Sequence, residues 1–120
     1  MLLVGTSGWS YRHWRGRFYP PELPPWQWFS FYLREFATVE LNVTFYRLPA
    51  RKRFEEWARL AAERPGFVFA VKAPRTITHL RRLVDAAEEF RRFQEAIAGL
   101  GSALGPLLFQ LPPGFTCALD

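Results

Sequence analysis

Glu40, Lys72 and His79 are the residues whose types could carry proton transfer or covalent chemistry. A carboxylate serves as general acid or base. A lysine amine clamps an anion or acts as a nucleophile, and an imidazole moves a proton near neutral pH. Glu40 stands in the stretch Thr38-Val39-Glu40-Leu41-Asn42-Val43-Thr44-Phe45-Tyr46. There Glu40, Asn42 and Thr44 alternate with Val39, Leu41 and Val43, so a strand would place the three polar side chains on one face. Two readings stand: a polar edge strand facing water, or a carboxylate and an amide on an inner face just before a loop. Lys72 ends the otherwise apolar run at 67–72, and His79 lies in a loop at 73–83 with Pro74, Arg75, Thr78, Arg81 and Arg82. A lone histidine is more often a structural hydrogen-bonding partner than a base, so its catalytic reading depends on reach to a substrate.

A second group of polar candidates gathers near the start. Leu2-Leu3-Val4 followed by Gly5-Thr6-Ser7-Gly8-Trp9 reads as a short buried strand ending in a glycine-rich turn. The turn lacks the Gly-Lys-Ser/Thr ending of a Walker loop, and no helix opens after it as a dinucleotide fingerprint requires. From Ser10 to Pro25 runs a long connection in which Tyr11, Trp14, Phe18 and Tyr19 interleave with Arg12, His13, Arg15 and Arg17. Such a loop either clamps bases, sugars and phosphates with aromatic faces and guanidinium groups, or packs down as a lid.

The elements that must position these groups follow from periodicity. Phe29, Tyr32, Leu33 and Phe36 predict a helix over 26–36. Pro49 opens a second helix whose stripe is Phe54, Trp57, Ala58 and Ala61, stopped by Pro65-Gly66. Residues 67–72 are apolar until Lys72, as in a strand covered on both faces. Asp85 and Glu88 read as a capping-box variant ahead of a third helix burying Ala86, Phe90, Phe93 and Ile97. Leu107 to Leu111 reads as a fourth buried strand that includes Gln110. The order β-α-β-α-β-α-β gives a parallel sheet with right-handed crossovers, either open and doubly wound or part of a (β/α)₈ barrel.

Composition sets the class. The chain has 120 residues, 49% hydrophobic and 22% charged, a globular rather than a disordered balance and enough for one domain over 1–120. Formal net charge is +5, and all basic residues except Lys52 and Lys72 are arginine. A cationic surface attracts anionic small molecules or nucleic acid, although arginine usage also follows genome composition. Cys117 is the one cysteine, so no intrachain disulfide is possible. Residues 96–119 carry no charge, but their glycines and prolines would break a membrane span, and the N-terminus lacks the pattern of a signal peptide. The expectation is a cytoplasmic protein without membrane attachment. Asp85 and Asp120 are the only aspartates, and no His/carboxylate cluster has ligand spacing, so neither a metal nor another cofactor is expected from these residues.

Four motifs in order carry a resemblance: Gly5-Thr6-Ser7-Gly8-Trp9, Glu40-Leu41-Asn42-Val43-Thr44-Phe45-Tyr46, Phe69-Ala70-Val71-Lys72-Ala73 with Ile77-Thr78-His79 and Arg82-Leu83, and Gly105-Pro106-Leu107-Leu108-Phe109-Gln110-Leu111-Pro112-Pro113. Together they resemble the domain-of-unknown-function 72 family, the YecE-like proteins. Val43 departs from the small polar residue expected there. The resemblance implies an α/β fold of the parallel (β/α)₈ TIM type, similar to the endonuclease-IV and xylose-isomerase barrels. No activity is established for the family. A whole barrel takes about 250 residues, so these 120 correspond to its first half, and a second copy or the other half is expected to complete it. A half barrel leaves two strand edges open, which predicts that the chain alone is not a stable monomer.

In such barrels the strand C-terminal ends form the active face. That places Glu40, Lys72 and His79 as catalytic candidates. Thr6, Ser7, Trp9, Arg12, Asn42, Thr44, Tyr46, Arg75 and Gln110 become substrate-binding candidates. The loop arginines Arg12, Arg15, Arg17, Arg47, Arg75, Arg81 and Arg82 are expected on the same side. Glu40 and Lys72 would end neighbouring strands, either as a buried ion pair or as base and clamp. Three functions fit: a hydrolase or lyase acting on a phosphorylated or nucleic-acid substrate, a non-catalytic module binding nucleic acid or an anionic metabolite, or an inactive fragment.

Overall fold

The computed structural model describes residues 1–117; Leu119 of the uncharged run and Asp120 lie outside the described residues. Four strands, β1 (Gly5–Ser7), β2 (Thr38–Leu41), β3 (Val68–Lys72) and β4 (Leu104–Leu108), form one parallel sheet in the order β1-β2-β3-β4. Sequential order without a reversal is that of a barrel wall, because a doubly wound sheet reverses at a switch point. The helices are α1 (Trp28–Glu35), the single turn α2 (Val43–Tyr46), α3 (Arg51–Ala61) and α4 (Ala87–Ile97). The fold is α/β, the first half of a (β/α)₈-type barrel.

Alternation along each strand separates two environments. Val39 and Leu41 of β2 and Phe69 and Val71 of β3 are buried against Phe29, Tyr32 and Leu33 of α1, Phe54 of α3, and Phe93 and Ile97 of α4. The intervening Thr38, Glu40, Val68, Ala70 and Lys72 are only half-buried on the concave face. Helix periodicity dictates this packing: α1, α3 and α4 each present one apolar stripe, while Arg51–Glu55 and Arg53–Glu56 pair along the solvent side of α3. Tyr32 ties the layers together. Its hydroxyl donates to the Thr38 carbonyl at 2.9 Å, accepts the Thr6 backbone N–H at 2.9 Å and lies 2.9 Å from the Thr6 hydroxyl.

Three strand assignments differ from the sequence expectation. β1 is not Leu2–Val4 but the glycine-rich stretch itself; Leu2 and Val4 are exposed. A Cβ on Gly5 would lie 2.0 Å from the Thr38 carbonyl oxygen, so glycine lets this strand approach β2. β2 ends at Leu41, and the chain then coils into α2, which removes Thr44 from the strand face it was expected to share with Glu40. β4 starts three residues earlier than expected and has an open edge, so it is partly exposed rather than buried. Phe109, Gln110 and Leu111 lie beyond it, all exposed. The capping box is also absent. Ala86 occupies the N-cap of α4 with no side-chain bond, and Asp85 has φ +49° in a run that includes Arg82 and Leu83 at positive φ. Pro49 precedes α3, whose N-cap is Ala50.

Candidate functional site

The C-terminal ends of β1 and β2 bring Ser7, Glu40 and Asn42 into one hydrogen-bonded group. Register pairs Ser7 with Glu40, both on the concave face. The Ser7 hydroxyl donates to Glu40 Oε1 at 3.1 Å, and Asn42 Nδ2 donates to Ser7 Oγ at 3.0 Å. The Tyr11 hydroxyl donates to the Ser7 carbonyl at 2.5 Å and holds the strand end from the loop side. Asn42 takes its place because β2 ends one residue before it and it becomes the N-cap of α2. The second carboxylate oxygen of Glu40 has no hydrogen-bond or ion-pair partner among the described residues. A carboxylate oriented through one oxygen and free at the other can accept a proton from a bound group.

Glu40 and Lys72 do not form the buried ion pair, one of the two readings of their strand ends. Register sets Glu40 opposite Ala70, so Lys72 lies two residues further along its strand, about 7 Å at the strand rise. The Lys72 ammonium sits over the Phe45 ring, 4.1 Å from its centroid, in a cation–π contact. His79 packs edge-on against the same ring at 5.0 Å, with its Nδ1 2.8 Å from the Thr78 hydroxyl. His79 belongs to a five-residue π-helical turn, Thr76–Leu80, an irregularity that recurs at functional sites. Phe45 therefore joins Lys72 to His79, a role the sequence did not reveal. Its only signal was its place between Thr44 and Tyr46 in the Glu40 motif.

The remaining candidates divide between side chains that pack into the fold and side chains that stand exposed. The Thr6 side chain turns away from the concave face and donates to the Gly8 carbonyl at 2.7 Å beside Tyr32. Thr44 is fully buried, and its hydroxyl donates to the Lys72 carbonyl, with the Leu41 carbonyl as a longer second contact at 3.2 Å. Trp9 leaves the mouth because Gly8, at φ +77°, reverses the chain; its ring packs on Phe29 at 4.5 Å and edge-on to Trp57 at 5.7 Å. Arg12, Tyr46, Arg75 and Gln110 are exposed and make no side-chain hydrogen bond among the described residues.

The loop arginines do not gather at the mouth as one group. Trp14, Phe18 and Tyr19 pack down along α1: Tyr19 stacks on Trp28 at 4.8 Å, and Phe18 contacts Phe31 and Phe36. Phe36 precedes β2, so the loop carries Arg17 towards the opposite end of the strands. Arg15 lies over Trp28 and donates to the Pro21 carbonyl, Arg81 pairs with Glu89, and Arg82 stacks on Phe115. The aromatic content of this loop thus goes largely into packing.

Arg53 and Trp57 were legible only as part of α3, yet they wall a cleft of about 380 Å³ beside the mouth, with Gly8, Trp9, Tyr11 and Asn42 among the other lining residues. Their i, i+4 spacing is the signal that was available, since it stacks the guanidinium 5.6 Å from the indole centroid. Among the described residues, no three His, Cys, Asp or Glu side chains converge as a metal site would require, and no helix is long and apolar enough to cross a membrane.

Known proteins resemble this chain in sequence and fold. The chain is 31% identical to the UPF0759 protein YunF of Bacillus subtilis (strain 168), an alignment covering 98% of this chain and 42% of that protein. The crystal structure of a DUF72 family protein from Thermotoga maritima MSB8 superposes with a TM-score of 0.80 at 33% identity, over 98% of this chain and 47% of that one. A DUF72 family protein from Enterococcus faecalis V583 gives a TM-score of 0.60 at 27% identity, over 72% of this chain and 36% of that one. The chain thus spans less than half the length of these relatives. The profile of the family described as "Protein of unknown function DUF72" matches residues 3–120, and the chain belongs to that family.

Proposed function

We propose that the mouth formed by β1, β2 and β3 is the catalytic face of a hydrolase or lyase acting on a phosphorylated or nucleic-acid substrate, with Glu40 as general acid or base. The observation that carries this reading is the Glu40 carboxylate, oriented by Ser7 and Asn42 and left unpaired by Lys72. A structural ion pair would have joined the two charges; here each remains available to a ligand. Lys72 supplies positive charge for an anionic group, and the Phe45 ring fixes its direction. His79 sits behind Phe45 and acts through it as a positioning residue. The open edges of β1 and β4, with exposed Leu108, Phe109 and Leu111, support a concave face closed by further strands from a longer chain or a second copy.

The test compares the wild-type protein with Glu40→Gln on p-nitrophenyl phosphate, bis(p-nitrophenyl) phosphate and a single-stranded oligonucleotide. The expected result is turnover of at least one probe by the wild type. Loss of the carboxylate should lower that rate by about 10²–10⁴, with binding kept. Turnover unchanged in Glu40→Gln overturns the role of Glu40. Binding that weakens steeply with salt, without any turnover, replaces the catalytic reading with an anion-binding module.

A further inference from the structure

The cleft between the β1 loop and α3 lies outside the concave face. Its lining residues run from Gly8 to Trp57, in the loop after β1, the end of β2, α2 and α3. Two aromatic rings, Trp9 and Trp57, meet edge to face at 5.7 Å and form its apolar side. Arg53 is its single cation. The Arg53 Nη1 donates to Glu56 at 3.1 Å across an exposed surface, a pairing that solvent weakens. The remaining guanidinium nitrogens have no hydrogen-bond partner among the described residues, and the group stacks 5.6 Å from the Trp57 centroid. About 380 Å³ falls at the lower end of the volumes that small-molecule sites occupy.

Two residues join this cleft to the mouth. Asn42 lines it while donating to Ser7 Oγ, and Tyr11 lines it while donating to the Ser7 carbonyl. A ligand filling the cleft therefore touches the same two side chains that hold Ser7 against Glu40. Indole and phenol rings offer apolar surface to a planar ring, and the guanidinium that lies over Trp57 presents its N–H edge to a phosphate. We propose that this cleft is a binding subsite for a phosphorylated planar ring of mononucleotide size. As the part of the substrate flanking the reacting group at Glu40, this assignment rests on the catalytic reading above.

Isothermal titration calorimetry of the full chain with adenosine 5′-monophosphate, adenosine and inorganic phosphate tests it. The monophosphate should bind with one site per chain, at least tenfold tighter than either fragment. Arg53→Gln, at an exposed position that should not disturb folding, should weaken the monophosphate at least tenfold and leave adenosine unchanged. Trp57→Phe should retain most of the affinity, whereas Trp57→Ala should lose binding of both monophosphate and adenosine. Glu40→Gln should bind the monophosphate as the wild type does. Absence of monophosphate binding at millimolar concentration, or an affinity indifferent to Arg53→Gln, overturns the proposal. Binding that follows Arg53 in a protein without turnover supports the subsite while removing the catalytic reading, so the two failures are told apart.

Discussion

The two faces of this sheet come from alternate residues of the same strands and have opposite characters. Towards the helices stand Val39, Leu41, Phe69 and Val71, buried to 2% exposure or less. Towards the concave side stand Gly5, Ser7, Thr38, Glu40, Val68, Ala70 and Lys72, small or polar except for Val68 and only partly covered. The strands are one scaffold, so the contrast locates stability on one face and candidate chemistry on the other. A polar group left on the covered face would have lost its water without a partner. On the concave face Glu40 keeps one oxygen without a partner among the described residues, where the neighbouring side chains are only partly covered.

The contrast is tested first where it should be greatest. Phe69 is fully buried, stacked near Phe29 at 5.8 Å and edge-on to Phe67 at 5.2 Å. Phe69→Ala should lower unfolding stability by about 3–5 kcal/mol, seen as a shift in denaturant midpoint or as failure to fold. Its neighbour Ala70 faces the other way, and Ala70→Ser should change stability by less than about 0.5 kcal/mol. Equal effects at the two positions would dissolve the distinction between the faces.

Gly5 sharpens the comparison, because it is the place where the open face has no room. A methyl group there would meet the Thr38 carbonyl at 2.0 Å, within the backbone of the neighbouring strand. Gly5→Ala should destabilise by about 1–3 kcal/mol, the usual range for overpacking. The same residue explains what the sequence concealed. Periodicity placed α1, α3, α4 and β3 well, since each carries a long apolar pattern. β1 was misplaced because its pairing rests on backbone approach through Gly5, which no hydrophobic pattern records. The end of β2 was hidden for a related reason. Asn42, Val43 and Thr44 continue the alternation, yet the chain coils into α2, where the Thr44 hydroxyl donates to the Lys72 carbonyl of the neighbouring strand. Glu40, Ser7 and Asn42 were legible as site candidates. The separation of Glu40 from Lys72 was not, because it depends on a register two residues out of line.

Tyr32 lies at the boundary, with its ring in the core and its hydroxyl on the backbone of β1 and β2. Tyr32→Phe removes the donor to the Thr38 carbonyl and the acceptor for Thr6 N–H, which should cost about 1–3 kcal/mol. Burial raises the Tyr32 pKa above its ordinary value of 10.0, so the folded protein holds the phenol neutral. The linked stability is fully present below pH 10 and is lost as pH rises through the folded value. Urea titrations at pH 8 to 11 should show the midpoint falling above about pH 10, with a smaller fall in Tyr32→Phe. Tyr19 contributes in the same direction, because burial raises its pKa as well, so the slope in Tyr32→Phe should diminish rather than vanish.

Glu40→Gln, like Ala70→Ser, should leave stability nearly unchanged. The amide keeps a carbonyl oxygen to accept the Ser7 hydroxyl, and no cation loses a partner, because Lys72 rests on Phe45. Stability should stay within about 0.5 kcal/mol of the wild type. A loss well above that would mean that the carboxylate holds the fold together, and its freedom to serve a ligand would then be illusory. A neutral result, set beside the collapse expected of Phe69→Ala, would show that this chain maintains an oriented carboxylate that its own fold does not require. That is the condition under which selection for a function, rather than for stability, accounts for the residue.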